Sequence, residues 1–574
     1  LRLNPSGGAT VSMNSASDVL TLATGGLLMA ANQTLAINTG SLTSGTSALF
    51  AYINQNTTTI GSTIIGNIDL VKGGAGGLTL TGQNTFTGTL YANQGTTTLN
   101  LAGANATTTT AVAGDVVLNN AALTLSAAGQ IKNTANVTIN GGGTLTLAGA
   151  NAFNSVVFNN TGGIVNPTIT GGSLTLTGTL TAINDSLSFT PTIASAVDLS
   201  AGNRTVTVGG LSPNGLIISG QIVGGAGSLL KAGSSGLVLT STTSNFTGGV
   251  SLNAGALILG ADSNPNTVNA TVTAGPLGTG TLSMATGTKI LAGGAARTIA
   301  NAVSATNQII FGASQFNLTL NGPVSFSNAS STITVESPVG SGNSTTVMTL
   351  GGTLSGVTTL TKAGLGRLDL NNANLGLTGG VVISDGLLSA GSQYALGGSL
   401  LVTPYTAGPT VTLNGGGYNL NVANTLFQNA VVLGGNAVLS ATQGNTAFAG
   451  VTLNSTATAL GIQGGNTNNL FGGLTLNGST GTTLFNSNDL RVFGNLGGTT
   501  PSLTKVGMGS TFLYGDSSFA GNIIVEQGIL AAAGTGSTVF TSGAISVQPA
   551  GILRLAAATN ASGASGITIN TDSN

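Results

Sequence analysis

The chain has 574 residues, a formal net charge of −1, 4% charged residues, 41% hydrophobic residues, 92 Gly, and no His, Cys or Trp. Without His or Cys there are no disulfides, thiolate metal sites or His-assisted nucleophiles, and the neutral balance gives no drive toward nucleic acid or an anionic membrane. A soluble globular chain carries about 25% charged residues, yet this one is too apolar for a low-hydrophobicity disordered chain.

The first sixty residues alternate apolar and polar positions between Gly and Asn, the period-2 signature of short strands with one buried face. Leu1 begins without the basic and apolar segments of a signal peptide, so the chain reads as a processed form or a piece of something longer. No apolar run approaches the ~18 residues of a membrane helix.

A stronger pattern starts near residue 70 and recurs, giving repeat motifs at 70–100, 229–260, 360–391 and 503–534. They align on Lys72, Lys231, Lys362 and Lys505, four of the six lysines in the sequence. Two residues on stand Gly74, Gly233, Gly364 and Gly507. Phe86, Phe246, Leu377 and Phe519 follow fourteen or fifteen residues after each Lys, and Gly88, Gly248, Gly379 and Gly521 come two further. Apolar residues then alternate again up to a turn Gly at 95, 255, 386 or 528. The clearest copy, 360–391, predicts strand, Gly turn, strand, Asn/Gly turn, strand, Gly turn, strand.

Weaker echoes lie between the motifs. Gly280–Met284 resembles Gly398–Val402, and Asn301-Ala302-Val303 resembles Asn429-Ala430-Val431. Thr-Leu-Asn-Gly recurs at 319–322, 412–415 and 475–478 as a strand-to-turn junction. The Ala-rich piece 292–303 has no helical period. The polar stretch 325–346, with Glu336 and Pro338, reads as a loop leaving the coil.

Short strands without helices or crossovers predict an all-β fold: a single-stranded parallel β-helix, or β-solenoid, continuous over 1–574. Leu, Val, Ile and Ala fill the interior, Gly and Asn take the corners, and Thr and Ser face outward. A sandwich array needs domain breaks and a richer aromatic core, and a membrane barrel needs aromatic girdles. At ~4.8 Å per coil the chain would make an elongated rod of about 100–140 Å.

Thr361 to Leu370 with Thr378-Gly379-Gly380 resembles the autotransporter-associated β-strand repeat, also called the passenger-associated transport repeat. Phe246-Thr247-Gly248-Gly249 and Asn84-Thr85-Phe86-Thr87-Gly88 are similar to its second half. The resemblance implies a secreted bacterial β-helix, exported across the outer membrane and displayed on the cell surface. The departure from typical autotransporters is that residues 1–574 show no translocator barrel or aromatic C-terminal strand, which either lies beyond Asn574 or is not used.

Candidate chemistry is sparse. Asp369, Asp385 and Arg367 form the one local group that could be argued into a glycoside-cleaving pair. Arg367 and Asp369 alternate with Leu368 and Leu370, which points them to solvent as ordinary strand residues. Calcium loops are missing, and Gly73–Gly77 and Gly224–Gly227 read as turns rather than phosphate loops. The recurrent Lys reads as a charge beside a turn that discourages lateral strand pairing, with capture of an acidic glycan or neighbouring chain as the other reading. In-register Asn should form amide ladders.

The expected role is therefore structural: a segment of a bacterial cell-surface or extracellular β-helical repeat protein that self-associates into a fibre or sheath. The alternatives are an adhesin passenger that binds a glycan or protein, and a polysaccharide-processing β-helix enzyme. The reading expects no catalytic, cofactor or metal residues, no nucleic acid, no transmembrane helix, and lateral or end-to-end association of copies.

Overall fold

The computed structural model describes residues 1–30, 33–338, 346–398, 408–422, 425–441, 446–454, 456–464, 466–534, 539–541, 543–556 and 563–570. Among them there is no helix, and so none long and apolar enough to cross a membrane. The residues group into two compact units, Leu1–Asn266 with Thr271–Gly293, and Thr267–Ala270 with Gly294–Asn574. Each unit is a parallel β-solenoid. Among the described residues paired strands run parallel, and antiparallel contact is confined to the isolated bridges Asn105–Thr109 and Asn264–Ala274.

In the first unit one sheet climbs through Ala48–Ile53, Asp69–Gly73, Leu90–Ala92, Val116–Asn119 and Asn136–Asn140. A second climbs beside it through Thr57–Ile60, Gly77–Leu80, Thr96–Leu99 and Ala122–Leu125. The third side is a sheet in Val19–Leu22, Ser41–Ser44 and Thr63–Ile64, and irregular backbone in several later coils. Two 17-residue strands, Thr144–Asn160 and Thr168–Asn184, turn corners without leaving the ladder, and register shifts after Leu147 and Phe153 absorb the bends.

Alternation drives burial. In Asp69–Gly73, Leu70 and Lys72 face inward while Val71 is half-exposed. Inward side chains stack on their counterparts one coil away, as Leu70 on Leu49 and Leu90. Coil length varies: Leu70 pairs with Leu90 20 residues later, but Val250 pairs with Leu282 32 residues later. Loops absorb the difference at little entropic cost.

The second unit repeats this plan. The Thr-Leu-Asn-Gly junctions end strands at Leu320, Leu413 and Leu476. Leu282–Met284 is a strand, while 399–402 of its echo lie outside the described residues. The expected loop over 325–346 is corrected. Val324–Phe326 and Ser330–Val335 are strands whose inward residues Phe326, Ile333 and Val335 join the core, and 339–345 lie outside the described residues.

The expected amide ladder forms at one corner of the first unit. Asn119 donates from Nδ2 to Asn93 Oδ1 at 2.6 Å, Asn140 to Asn119 at 2.7 Å, and Asn159 to Asn140 at 2.9 Å.

Candidate functional site: the buried lysine corners

All four motif copies fold alike. The Lys strand (Asp69–Gly73, Ser228–Ala232, Thr359–Ala363 or Ser502–Val506) turns at its Gly into a second strand. The third strand returns one coil higher and pairs directly with the first.

The lysines are not surface charges, which corrects the expectation. Lys72, Lys231, Lys362 and Lys505 are 0% exposed. Each occupies an apolar ladder of the interior. Lys72 stands between Ala51 and Ala92, Lys231 between Val206 and Leu252, Lys362 between Ile333 and Ile383, and Lys505 between Leu484 and Val525. The aliphatic stem packs in that ladder, and the ammonium ends among backbone carbonyls at the corner.

Lys362 Nζ donates to Ala363 O at 2.9 Å, Gly364 O at 2.6 Å and Asp385 O at 3.0 Å. Lys231 reaches Ala232, Gly233 and Ala254, and Lys505 reaches Val506, Gly507 and Gln527, all at 2.7–3.1 Å. Lys72 reaches Gly74 at 2.6 Å and Gln94 at 2.8 Å. Each ammonium thus joins its own turn to the turn of the next coil. An ammonium has three donors, and in three copies all three are used. Burial pushes all four ammonium groups down to about 8, with the Asp385 charge pulling Lys362 back up.

The turn glycines are required here. Gly74, Gly233, Gly364 and Gly507 have φ of 77–82°, a left-handed conformation that costs any other residue. A Cβ at Gly364 would also collide with the carbonyl oxygen of Val335 in the coil below.

A second buried polar position was missed. Asn84 accepts from Ile64 N at 2.8 Å and donates to Ala111 O at 2.7 Å, bridging the coils on either side. Asn374 does the same between Leu354 N and Ala395 O, and Ser244 accepts from Ile222 N. These residues stand two or three before Phe86, Phe246 and Leu377, all fully buried, as is Phe519 at 1% exposure. The Asn-x-Phe spacing was the available signal.

Arg367 and Asp369 do face outward, but they pair with each other rather than stand free in solvent. Arg367 Nε and a terminal guanidinium nitrogen hold the two carboxylate oxygens at 2.5 and 2.7 Å, and Asp369 is 9% exposed. Burial raises the carboxyl above its usual range, and the guanidinium opposes this. Asp385 lies exposed in the turn of the next coil, while the residue above Asp369 is Ser389. Both oxygens of Asp369 are therefore already bound by Arg367.

Phe471, Phe493 and Tyr514 form a stack on successive coils, with centroids 5.1 and 4.9 Å apart and planes within 13°. Phe493 is stacked on both faces, and Phe471 and Tyr514 on one face each. Among the described residues no group of three acids could hold a metal ion. The chain matches no protein-family model, no curated protein and no solved structure.

Proposed function

We propose that this chain is a structural segment of a bacterial cell-surface or extracellular β-solenoid that works by self-association into a fibre or sheath. The observation that carries the reading is the withdrawal of cations from the exterior. Four of six lysines serve as internal corner clamps. An isolated soluble domain gains from a charged surface. A sparsely charged exterior suits close packing against a like surface. No catalytic role is proposed, because the one acid pair of the sequence is divided between an ion pair and a turn.

Sedimentation velocity and electron microscopy of the purified chain test this across protein and salt concentration. Self-association should grow with concentration and persist in high salt, since few surface charges are available to be screened. A strictly monomeric species at high concentration in every salt condition would remove the assembly reading and leave the adhesin alternative.

A further inference from the structure

The second sheet of the first unit carries threonines in an ordered grid. Thr59, Thr79, Thr98, Thr124, Thr146 and Thr170 stand in register on six successive coils, with no register shift between them. A parallel column two residues earlier holds Thr57, Gly77, Thr96, Ala122, Thr144, Thr168 and Thr192. The residues between the columns, Thr58, Leu78, Thr97, Leu123, Leu145 and Ile169, are 0–1% exposed, so both columns point outward.

We propose that this two-column face binds ordered water, with ice as its ligand. Coil spacing sets ~4.8 Å along each column, and two residues of strand set ~6.6 Å between columns. The oxygens of a prism face of ordinary ice repeat at an interval close to the first and somewhat longer than the second. Threonine is stiff at χ1, so the hydroxyls are arrayed before any ligand arrives and little freedom is lost on binding.

Three observations support water over other ligands. Of the grid hydroxyls, Thr192 alone bonds within the chain, to Thr190 O, which leaves the others directed outward and unbonded. At Gly77 the column opens into a gap. With no side chain at Gly77, the hydroxyls of Thr57 and Thr96 flank an open place in the column. No grid position is aromatic or charged, so the face offers neither a ring for a sugar nor a countercharge for an ion. A second copy docked on it would dry every hydroxyl, at about 1–3 kcal/mol for each left unpaired, so the proposed self-association uses other faces of the coil.

The test is enrichment of the purified chain in slowly grown ice, with inhibition of ice recrystallisation as a second readout. Wild type should enter the ice and slow its coarsening. Thr98→Tyr/Thr124→Tyr should lose both effects with its β-sheet signal intact. Thr138→Tyr, on the neighbouring sheet, should keep them. If the double variant loses its fold, Thr98→Lys serves the same purpose. Exclusion of wild type from ice overturns the proposal, and so does undiminished enrichment of the folded grid variant. The proposal stands or falls separately from the assembly reading, which is scored above freezing.

Discussion

Lys362→Met isolates what the buried cation does. The thioether side chain keeps the aliphatic stem between Ile333 and Ile383 and deletes only the ammonium. Three hydrogen bonds disappear, to Ala363, Gly364 and Asp385 oxygens. Bonds to a charged donor contribute about 1.5–3 kcal/mol each. Against this stands the cost of burying the charge. A drop from 10.5 to about 8 corresponds to about 3 kcal/mol. The balance is a net loss of about 3 kcal/mol, or roughly a hundredfold in a local opening equilibrium.

Solenoids open coil by coil, so a global melting curve dilutes such a change. Hydrogen exchange at the corner is the suitable assay, read at Ser384 N, bonded to Lys362 O, and at Gly366 N, bonded to Val335 O. Both should exchange about a hundredfold faster in the variant. Lys72→Met removes two bonds instead of three and should loosen its corner less. Exchange in Lys362→Met as slow as in wild type would show that the lysine is only an aliphatic filler.

Two more outcomes follow from the same corners. Because burial lowers the lysine pKa values to about 8, unfolded chains retain protons above that pH that folded chains have shed. Stability should therefore rise from pH 8 toward 10. Above about 10, Tyr418 works the other way, since burial holds its phenol neutral. Chemical denaturation at stepped pH measures this, and a flat or falling trend from 8 to 10 would mean that the carbonyls hold the ammonium at or above its ordinary value. Gly233→Ala places a Cβ at φ 79° against the Val208 carbonyl. It should cost about 1–3 kcal/mol, seen as earlier proteolysis within 228–259. Unchanged proteolytic resistance would show that this corner can shift to accommodate a side chain.

Much of the fold was legible because one period governs the whole chain. Alternation around Leu70, Leu229, Leu360 and Leu503 placed strands, and left-handed glycines placed turns. The inward direction of the lysines was legible too, since each stands two residues after a buried Leu and shares its face. The expectation of a surface charge set that parity aside in favour of the usual cost of burying an ammonium. What lifts that cost is a group the motif's first turn cannot supply alone: the carbonyl of Gln94, Ala254, Asp385 or Gln527, from a turn one coil higher.

The sequence by itself determined the strand period, the turn positions and the recurring motif, because these depend on residues close together along the chain. The tertiary structure decided which residues meet between coils. Coils of 20 to 32 residues have no fixed repeat from which to count register. Only the folded ladder therefore places Thr59 over Thr79, joins Asn93 to Asn119, and leaves Asp385 beside a turn instead of over Asp369.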